Sequence, residues 1–310
     1  MSRRASSTAT SSKFFARPVQ QGRGMEQPPW PNCDTDVWFE ASSQCPELAP
    51  NGMRRISMSA DPSPAHPAVS AYLEDGYDRV PGMSSRFAAA ICARLLRLQT
   101  EQGVSGPIAE IGAFEGRFLI ALAHALEPGE VALAVDLFEW PDAGVQERFE
   151  ANAARHGIGP ERRVTVKADS GTMTPADLIA HARGERLRLI HIDGEHSRAA
   201  LAKDLALATA CLAEGGLIVL DDMLHPGYPT LMVAVQHFLD AHPDIVALCL
   251  IDRESVVAAT KFVLCQRQWF ERYQAPMLTI FESWIWPMGA DFEPHRCLVL
   301  SQDTRLAEIR

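Results

Sequence analysis

The sequence has no Cys-x-x-Cys pair, no acid in its first 25 residues, and no apolar run near the ~20 residues that a membrane span needs. Its seven cysteines, an odd number, are scattered at positions 33, 45, 92, 211, 249, 265 and 297, which excludes a zinc ribbon and a dense disulfide framework. Cys92, Cys211, Cys249 and Cys265 fall inside apolar runs, as free thiols do in a reducing cytoplasm. The longest apolar stretch, Ala88 to Leu98, is broken by Arg94 and Arg97, so no membrane partner is expected. Positive charge is scarce too, with 29 Lys and Arg against 39 Asp and Glu. The net charge is −10, and because Arg3, Arg4, Lys13, Arg17 and Arg23 stand unopposed in the first 25 residues, the rest of the chain carries −15. Phosphate contacts need clustered Lys and Arg, so a body this acidic argues against nucleic acid as a partner.

What remains is an ordinary globular composition: 310 residues, 47% hydrophobic, 22% charged, mean hydropathy −0.07. That supports a sizeable core. Residues 1–66 read as unstructured, rich in Ser, Thr, Ala and Arg and then in Pro. An organelle transit peptide, a floppy tail, or an internal start at Met25, Met53 or Met58 would each account for this segment. Order is expected from about Pro67. Ser84 and Ser85 can N-cap a helix that ends near Gly103.

Beyond Gly103 short apolar runs alternate with helical segments. The runs are 107–114, 131–138, 164–170, 187–193, 216–221, 245–251 and 261–265; helices are expected at about 116–127, 142–156, 175–184, 197–213 and 229–242. Continuous apolar runs separated by helices predict a doubly wound parallel sheet. The last two runs are joined by about nine residues, too few for a parallel crossover of a dozen or more, so the final strand is expected to run antiparallel. Residues 67–266 then form one domain. Residues 267–310, with Trp269, Phe270, Trp284 and Trp286 and a further strand near Cys297–Ser301, form an aromatic extension that packs on the body or on a partner subunit, as in a homodimer.

Ligands of open α/β sheets bind at the carboxyl ends of the strands. The polar residues placed there are acidic: Glu110, Asp136, Asp169, Asp193, Asp221 and Asp222. The first turn, Glu110-Ile-Gly112-Ala-Phe-Glu-Gly116, lets the backbone approach a ligand. It is not G-x-G-x-x-G, since Phe114 and Arg117 stand at the second and third glycine positions, so a dinucleotide fits poorly. Asp136, twenty residues after Gly116, can accept two hydrogen bonds from a ribose diol. Asp169 and Ser170 either hold an adenine edge or form a turn. Asp193 and Asp221 lie 28 residues apart, one strand–helix–strand crossover, so they and Asp222 should meet side by side. Three clustered carboxylates repel unless a cation is present, which points to a hard divalent ion such as Mg²⁺. Of the histidines, His196 and His225 flank that cluster, while His191 reads as a core residue.

On the segments E-I-G-x-x-x-G, D-G-x-H and L-x-x-G-G-x-I-x-x-D-D the sequence resembles class I S-adenosylmethionine-dependent methyltransferases. It is similar in particular to a bacterial small-molecule O-methyltransferase group that includes macrolide-sugar enzymes, with catechol and caffeoyl-CoA enzymes as more distant relatives. The resemblance spans residues 85–266. It implies a seven-stranded Rossmann-like sheet of order 3-2-1-4-5-7-6 with strand 7 antiparallel. It further implies that Gly112, Ala113 and Gly116 line the methionine part of S-adenosylmethionine, with Glu110 supporting that loop or the amino group. Asp136 would take the ribose, Asp169 and Ser170 the adenine side, and Asp193 would face the cofactor. Asp193, Asp221 and Asp222 match the metal-ligand positions of metal-dependent members. Glu195 stands where the sugar enzymes tend to carry a second Asp, which leaves Glu195 and His196 both open as the base. The expected activity is methyl transfer to a hydroxyl of a small molecule with a divalent ion. The rivals are a metal-independent enzyme with His196 as base, a non-catalytic binding protein, and a nicotinamide-dependent oxidoreductase.

Overall fold

Burial along the apolar runs decides which of them are strands. The structure, a computed structural model, describes residues 66–293 and 295–303; the expectations for residues 1–65 lie outside the described residues. Helix α1 (Pro67–Ala71) begins on a proline, which suits a first helical position because its missing N–H has no intrahelical partner there anyway. Helix α2 (Arg86–Glu101) starts at Ser85, whose hydroxyl accepts the Ala88 N–H at 2.9 Å, as the Ser84-Ser85 signal predicts.

The sheet follows. Strands β1 (Ile108–Ile111), β2 (Ala132–Asp136), β3 (Arg163–Lys167), β4 (Leu187–Ile192) and β5 (Leu212–Met223) run parallel. Between them lie α3 (Arg117–Ala123), α4 (Val145–Arg155), α5 (Pro175–His181) and α6 (Arg198–Cys211). After α7 (Thr230–Ala241) come β6 (Ile245–Ile251) and β7 (Thr260–Gln266). β7 inserts between β5 and β6 and is antiparallel to both, so the order through the first seven strands is 3-2-1-4-5-7-6. This is the Rossmann-like sheet expected from the short final connection.

Side chains alternate across the sheet with the two-residue period of a strand. Along β5, Leu217 and Val219 enter a core shared with α2 and α3, while Ile218 and Leu220 enter one shared with α5, α6 and α7. Both faces are therefore covered, and polar side chains can collect only at the strand ends.

The segment after residue 266 continues the body. Helix α8 (Phe270–Ile280) places Tyr273 and Met277 in the first core, beside Trp269 and Phe281. Strands β8 (Ala290–Asp291) and β9 (Arg296–Leu300) extend the sheet, β9 pairing parallel with β6. These aromatics are covered by the chain itself. Among the described residues no helix is long and apolar enough to cross a membrane.

Candidate active site

A cavity of about 700 Å³ opens at the carboxyl edge of the parallel strands. Ligand pockets commonly run from about 300 to 1,000 Å³. The backbone is unusual here. Among the described residues, the non-glycine residues with positive φ are Phe114 (48°), Phe138 (50°), Arg183 (60°), Asp222 (57°) and Leu224 (59°). All but Arg183 follow or end β1, β2 or β5. Such conformations cost roughly 1 kcal/mol or more each and gather at functional sites.

Glu110, Gly112, Ala113, Asp136, Asp169, Ser170, Asp193, Glu195 and His196 line this cavity. Asp136 is braced from both sides: its Oδ2 accepts the Phe114 N–H at 2.8 Å and its Oδ1 the Phe138 N–H at 2.7 Å. The two left-handed residues aim those N–H groups and fix the carboxylate at the cavity wall. Asp169 caps the short turn at Ser170–Thr172 by accepting the Gly171 N–H at 2.8 Å, so the turn role and the cavity role coincide in one residue.

Two glycines have other duties than those expected. A Cβ on Gly112 would lie 1.9 Å from the Asp193 carbonyl oxygen, so the glycine serves the close approach of β1 to the end of β4 as well as the cavity. Gly116 does not line the cavity: a Cβ there would lie 2.8 Å from the Phe149 ring, and its φ of +89° turns the chain into α3. Arg117, next to it, does line the cavity and donates from Nε to the Val80 carbonyl at 2.6 Å.

The acids at β4 and β5 separate into two clusters. His196 Nε2 lies 2.7 Å from Asp222 Oδ2 and 4.0 Å from Asp193 Oδ1, at the cavity wall. The carboxylates of Asp193 and Asp222 hold the imidazolium, pushing its pKa up to about 10. Burial, and then Asp221 beside it, raises Asp193 to about 8. His196 stacks on Tyr228 with ring centroids 4.3 Å apart, and Tyr228 stacks on His225 at 4.7 Å. Glu195 lines the cavity from an exposed position.

Asp221 points the other way, as an adjacent residue on a strand should. Its Oδ2 receives the ammonium of Lys261, fully buried at the start of β7, and the Ser84 hydroxyl at 3.1 Å; its Oδ1 accepts the Asp222 N–H at 2.8 Å. Lys261 Nζ also lies 3.1 Å from His191 Nε2, and His191 Nδ1 lies 2.7 Å from Glu110 Oε1. Burial alone would discharge Lys261, but Asp221 and then Asp193 keep it charged, above the ordinary lysine value. Burial works to raise Asp221 as well, yet Lys261 outweighs it and holds the carboxyl below its usual range. His191 is pushed well down, by burial and then by Lys261, so it is neutral. A neutral ring that accepts from Lys261 through Nε2 donates from Nδ1 to Glu110.

The three-carboxylate metal set expected from the sequence is therefore not what the chain assembles. Within the described residues, the acid and histidine groups whose ligand atoms converge are Glu110–His191–Asp193 and Asp193–His196–Asp222, and Asp221 is in neither. With both its oxygens engaged by protein donors, Asp221 fits a divalent ion poorly. The cofactor test comes out the other way. Glu110 Oε2 is buried at the cavity with no hydrogen-bond partner, which leaves an acceptor for an amino group, and Asp136 stands braced for a diol. These residues fit S-adenosylmethionine.

Sequence reasoning missed Lys261, Ser84, Arg117 and Trp140. The signal for Lys261 was available: a lone charge opens an otherwise apolar strand.

Residues 109–223 match the family model described as a methyltransferase domain. Over those residues the chain is similar to methyltransferase domains. Solved structures similar to this chain include CalS11, a TDP-rhamnose 3'-O-methyltransferase of calicheamicin biosynthesis (18% identity over 65% of this chain and 92% of that one, TM-score 0.44). The O-methyltransferase NovP is 15% identical over 59% and 80% of the two chains, with a TM-score of 0.48. TomG from Streptomyces achromogenes, an O-methyltransferase of tomaymycin synthesis solved with SAM, is 18% identical over 64% and 89%, with a TM-score of 0.44. No curated protein matches the sequence.

Proposed function

We propose that this methyltransferase moves a methyl group to a hydroxyl of a small molecule, with His196 as the base. The observation that carries the reading is the place of His196: at the cavity wall, oriented by Asp222 at 2.7 Å and next to Asp193. S-adenosylmethionine, when bound, supplies an electrophilic methyl on a sulfonium. The chain's part is to hold, orient and deprotonate. Asp136 and Glu110 hold the diol and the amino group. Asp193 lies at the cavity wall beside His196. His196 in its neutral form takes the proton of the acceptor hydroxyl, a role worth about 10²–10⁴-fold. Asp222 then stabilises the imidazolium that results. Glu195 lines the cavity as well, but His196 is the better oriented of the two bases that the sequence leaves open.

Magnesium held beside His196 would rest on Asp193, His196 and Asp222. It would then take from His196 the lone pair it needs as a base. The proposal therefore assigns no step to a divalent ion. A small acceptor suits a cavity of this volume whose wall includes Phe114, Trp140 and Tyr228. Five described cysteines are buried and unpaired, which supports a reducing compartment such as the cytoplasm.

Calorimetry with S-adenosylhomocysteine and NAD tests the cofactor; binding of NAD instead would sink the reading and favour an oxidoreductase. A panel of hydroxylated metabolites, assayed for S-adenosylhomocysteine release, then tests the acceptor. Turnover with amines alone would remove the O-methyl assignment.

A further inference from the structure

The mechanism above leaves one buried charge unused. Lys261 is fully buried, and its ammonium touches Asp221, His191 and Ser84. It also sits 4.6 Å from the centre of the Phe118 ring, a cation–π distance. Phe118 and Ser84 both line the cavity, so the ammonium lies directly behind the wall.

Chain direction explains how a lysine gets there. In the parallel strands the carboxyl ends face the cavity. β7 runs backward, in register Leu220↔Phe262 and Met223↔Thr260, so its first residues reach the same edge. Lys261 is thereby set beside Asp221. A buried ion pair gives little net stability over an apolar pair of similar volume, so stability alone is a weak reason for a lysine at this position.

The surrounding donors are arranged around one positive charge. Asp221 meets the ammonium with a carboxylate oxygen, His191 with a neutral ring nitrogen, and Ser84 with its hydroxyl oxygen at 3.3 Å. Asp193, on the neighbouring strand, adds a second carboxylate to the same field. Carboxylates from adjacent strands are the donors a hard divalent ion would use. Here a side chain already supplies the cation.

We propose that the Lys261 ammonium is the resident cation of this acidic edge, standing where a divalent ion would otherwise bind Asp221. The proposal rests on the methyl-transfer reading above and deepens it. Lys261 is a positioning residue: it holds Asp221 and Ser84 in place behind the wall and touches no ligand itself.

The test is a titration of Mn²⁺ into the full chain, followed by electron paramagnetic resonance, with S-adenosylhomocysteine calorimetry on the same samples. The wild-type chain should take up no Mn²⁺ through Asp221. Lys261→Met leaves a carboxylate without its counter-charge beside Asp193 and should bind one Mn²⁺ at least about tenfold more tightly than the wild type. A wild-type chain that binds one Mn²⁺ and loses it on Asp221→Asn overturns the proposal. So does a folded Lys261→Met that binds no better than the wild type. If circular dichroism shows Lys261→Met unfolded, the wild-type and Asp221→Asn titrations decide alone. Mn²⁺ bound by the wild type and lost in Asp221→Asn refutes it, and no such loss upholds it. Failure to bind S-adenosylhomocysteine would remove the methyl-transfer reading, while the Mn²⁺ titration would still decide the role of Lys261.

Discussion

Two histidines, five residues apart, each sit between carboxylates, and they are held in opposite charge states. His191 lies inside β4 between Glu110 and Asp221 and is neutral; His196 lies on the following loop between Asp193 and Asp222 and is charged. Nearby carboxylates alone would favour the charged form of both. The buried histidine differs in two ways: it has no access to solvent, and it shares its site with Lys261. One ammonium satisfies Asp221 and leaves His191 no reason to ionise. The exposed histidine has no such competitor, so it takes the charge itself. The contrast shows that counting acids near a histidine does not fix its state; the other cations within reach do.

The sharpest way to break this comparison is to remove the exposed member. His196→Ala should lower kcat/KM for a hydroxylated acceptor by about 10²–10⁴-fold while leaving S-adenosylhomocysteine affinity nearly unchanged in calorimetry. An equal loss in Glu195→Ala with none in His196→Ala would transfer the role to Glu195.

Removing the buried cation should act on stability. Lys261→Met strands an ionised Asp221 and should cost roughly 3–5 kcal/mol in denaturant unfolding. Adding Asp221→Asn to it should recover much of that loss, because the stranded charge goes with it. Additive losses in the double variant would contradict the pairing.

The third prediction concerns pH. His196 must be neutral to accept a proton, so kcat/KM should rise with pH toward the folded-state value of about 10. Asp222→Asn removes one of the carboxylates that hold it up, and the rising limb should move to lower pH, toward the ordinary histidine range near ~6.5. Stability should run the opposite way. A group whose pKa is raised on folding contributes stability that is fully present below its unfolded value and is lost as pH rises through its folded value. The His196 contribution should therefore fade between about pH 6.5 and about pH 10 as activity grows. An unchanged pH profile in Asp222→Asn would separate His196 from Asp222 in function.

The smallest effect is expected at Ser84. Ser84→Ala removes one donor to Asp221 and should lower stability by about 1 kcal/mol, with Lys261 still in place. A loss as large as that of Lys261→Met would mean that the hydroxyl, not the ammonium, holds the carboxylate.

Much of this layout is readable from sequence, and the misses have a common cause. Strand direction follows from continuous apolar runs and one short connection, and the strand order from the family resemblance. Asp136 follows from its place at the end of the second strand. Asp221 and Asp222 were grouped because they are adjacent, but neighbours on a strand point to opposite sides, and Asp222 adds a φ of +57°. The carboxyl-end rule covers parallel strands alone, and the reversed β7 brings its amino end, with Lys261, to the same edge. Gly112 lines the cavity as expected, and the Asp193 carbonyl adds a second reason for a glycine there. In each case the local pattern was right, and the neighbour across the sheet decided the role.

The position of β7 also bears on how the chain can be made. It is synthesised after both strands that flank it, so β6 cannot be joined to β5 through β7 until residues 260–266 have left the ribosome. Until then the sheet ends at β5, with an apolar edge exposed and β6 outside the sheet. A nascent chain stalled before Thr260 thus presents unpaired strand edges, the form most prone to wrong association. The same short segment that brings Lys261 to the site is the keystone that closes the sheet during synthesis.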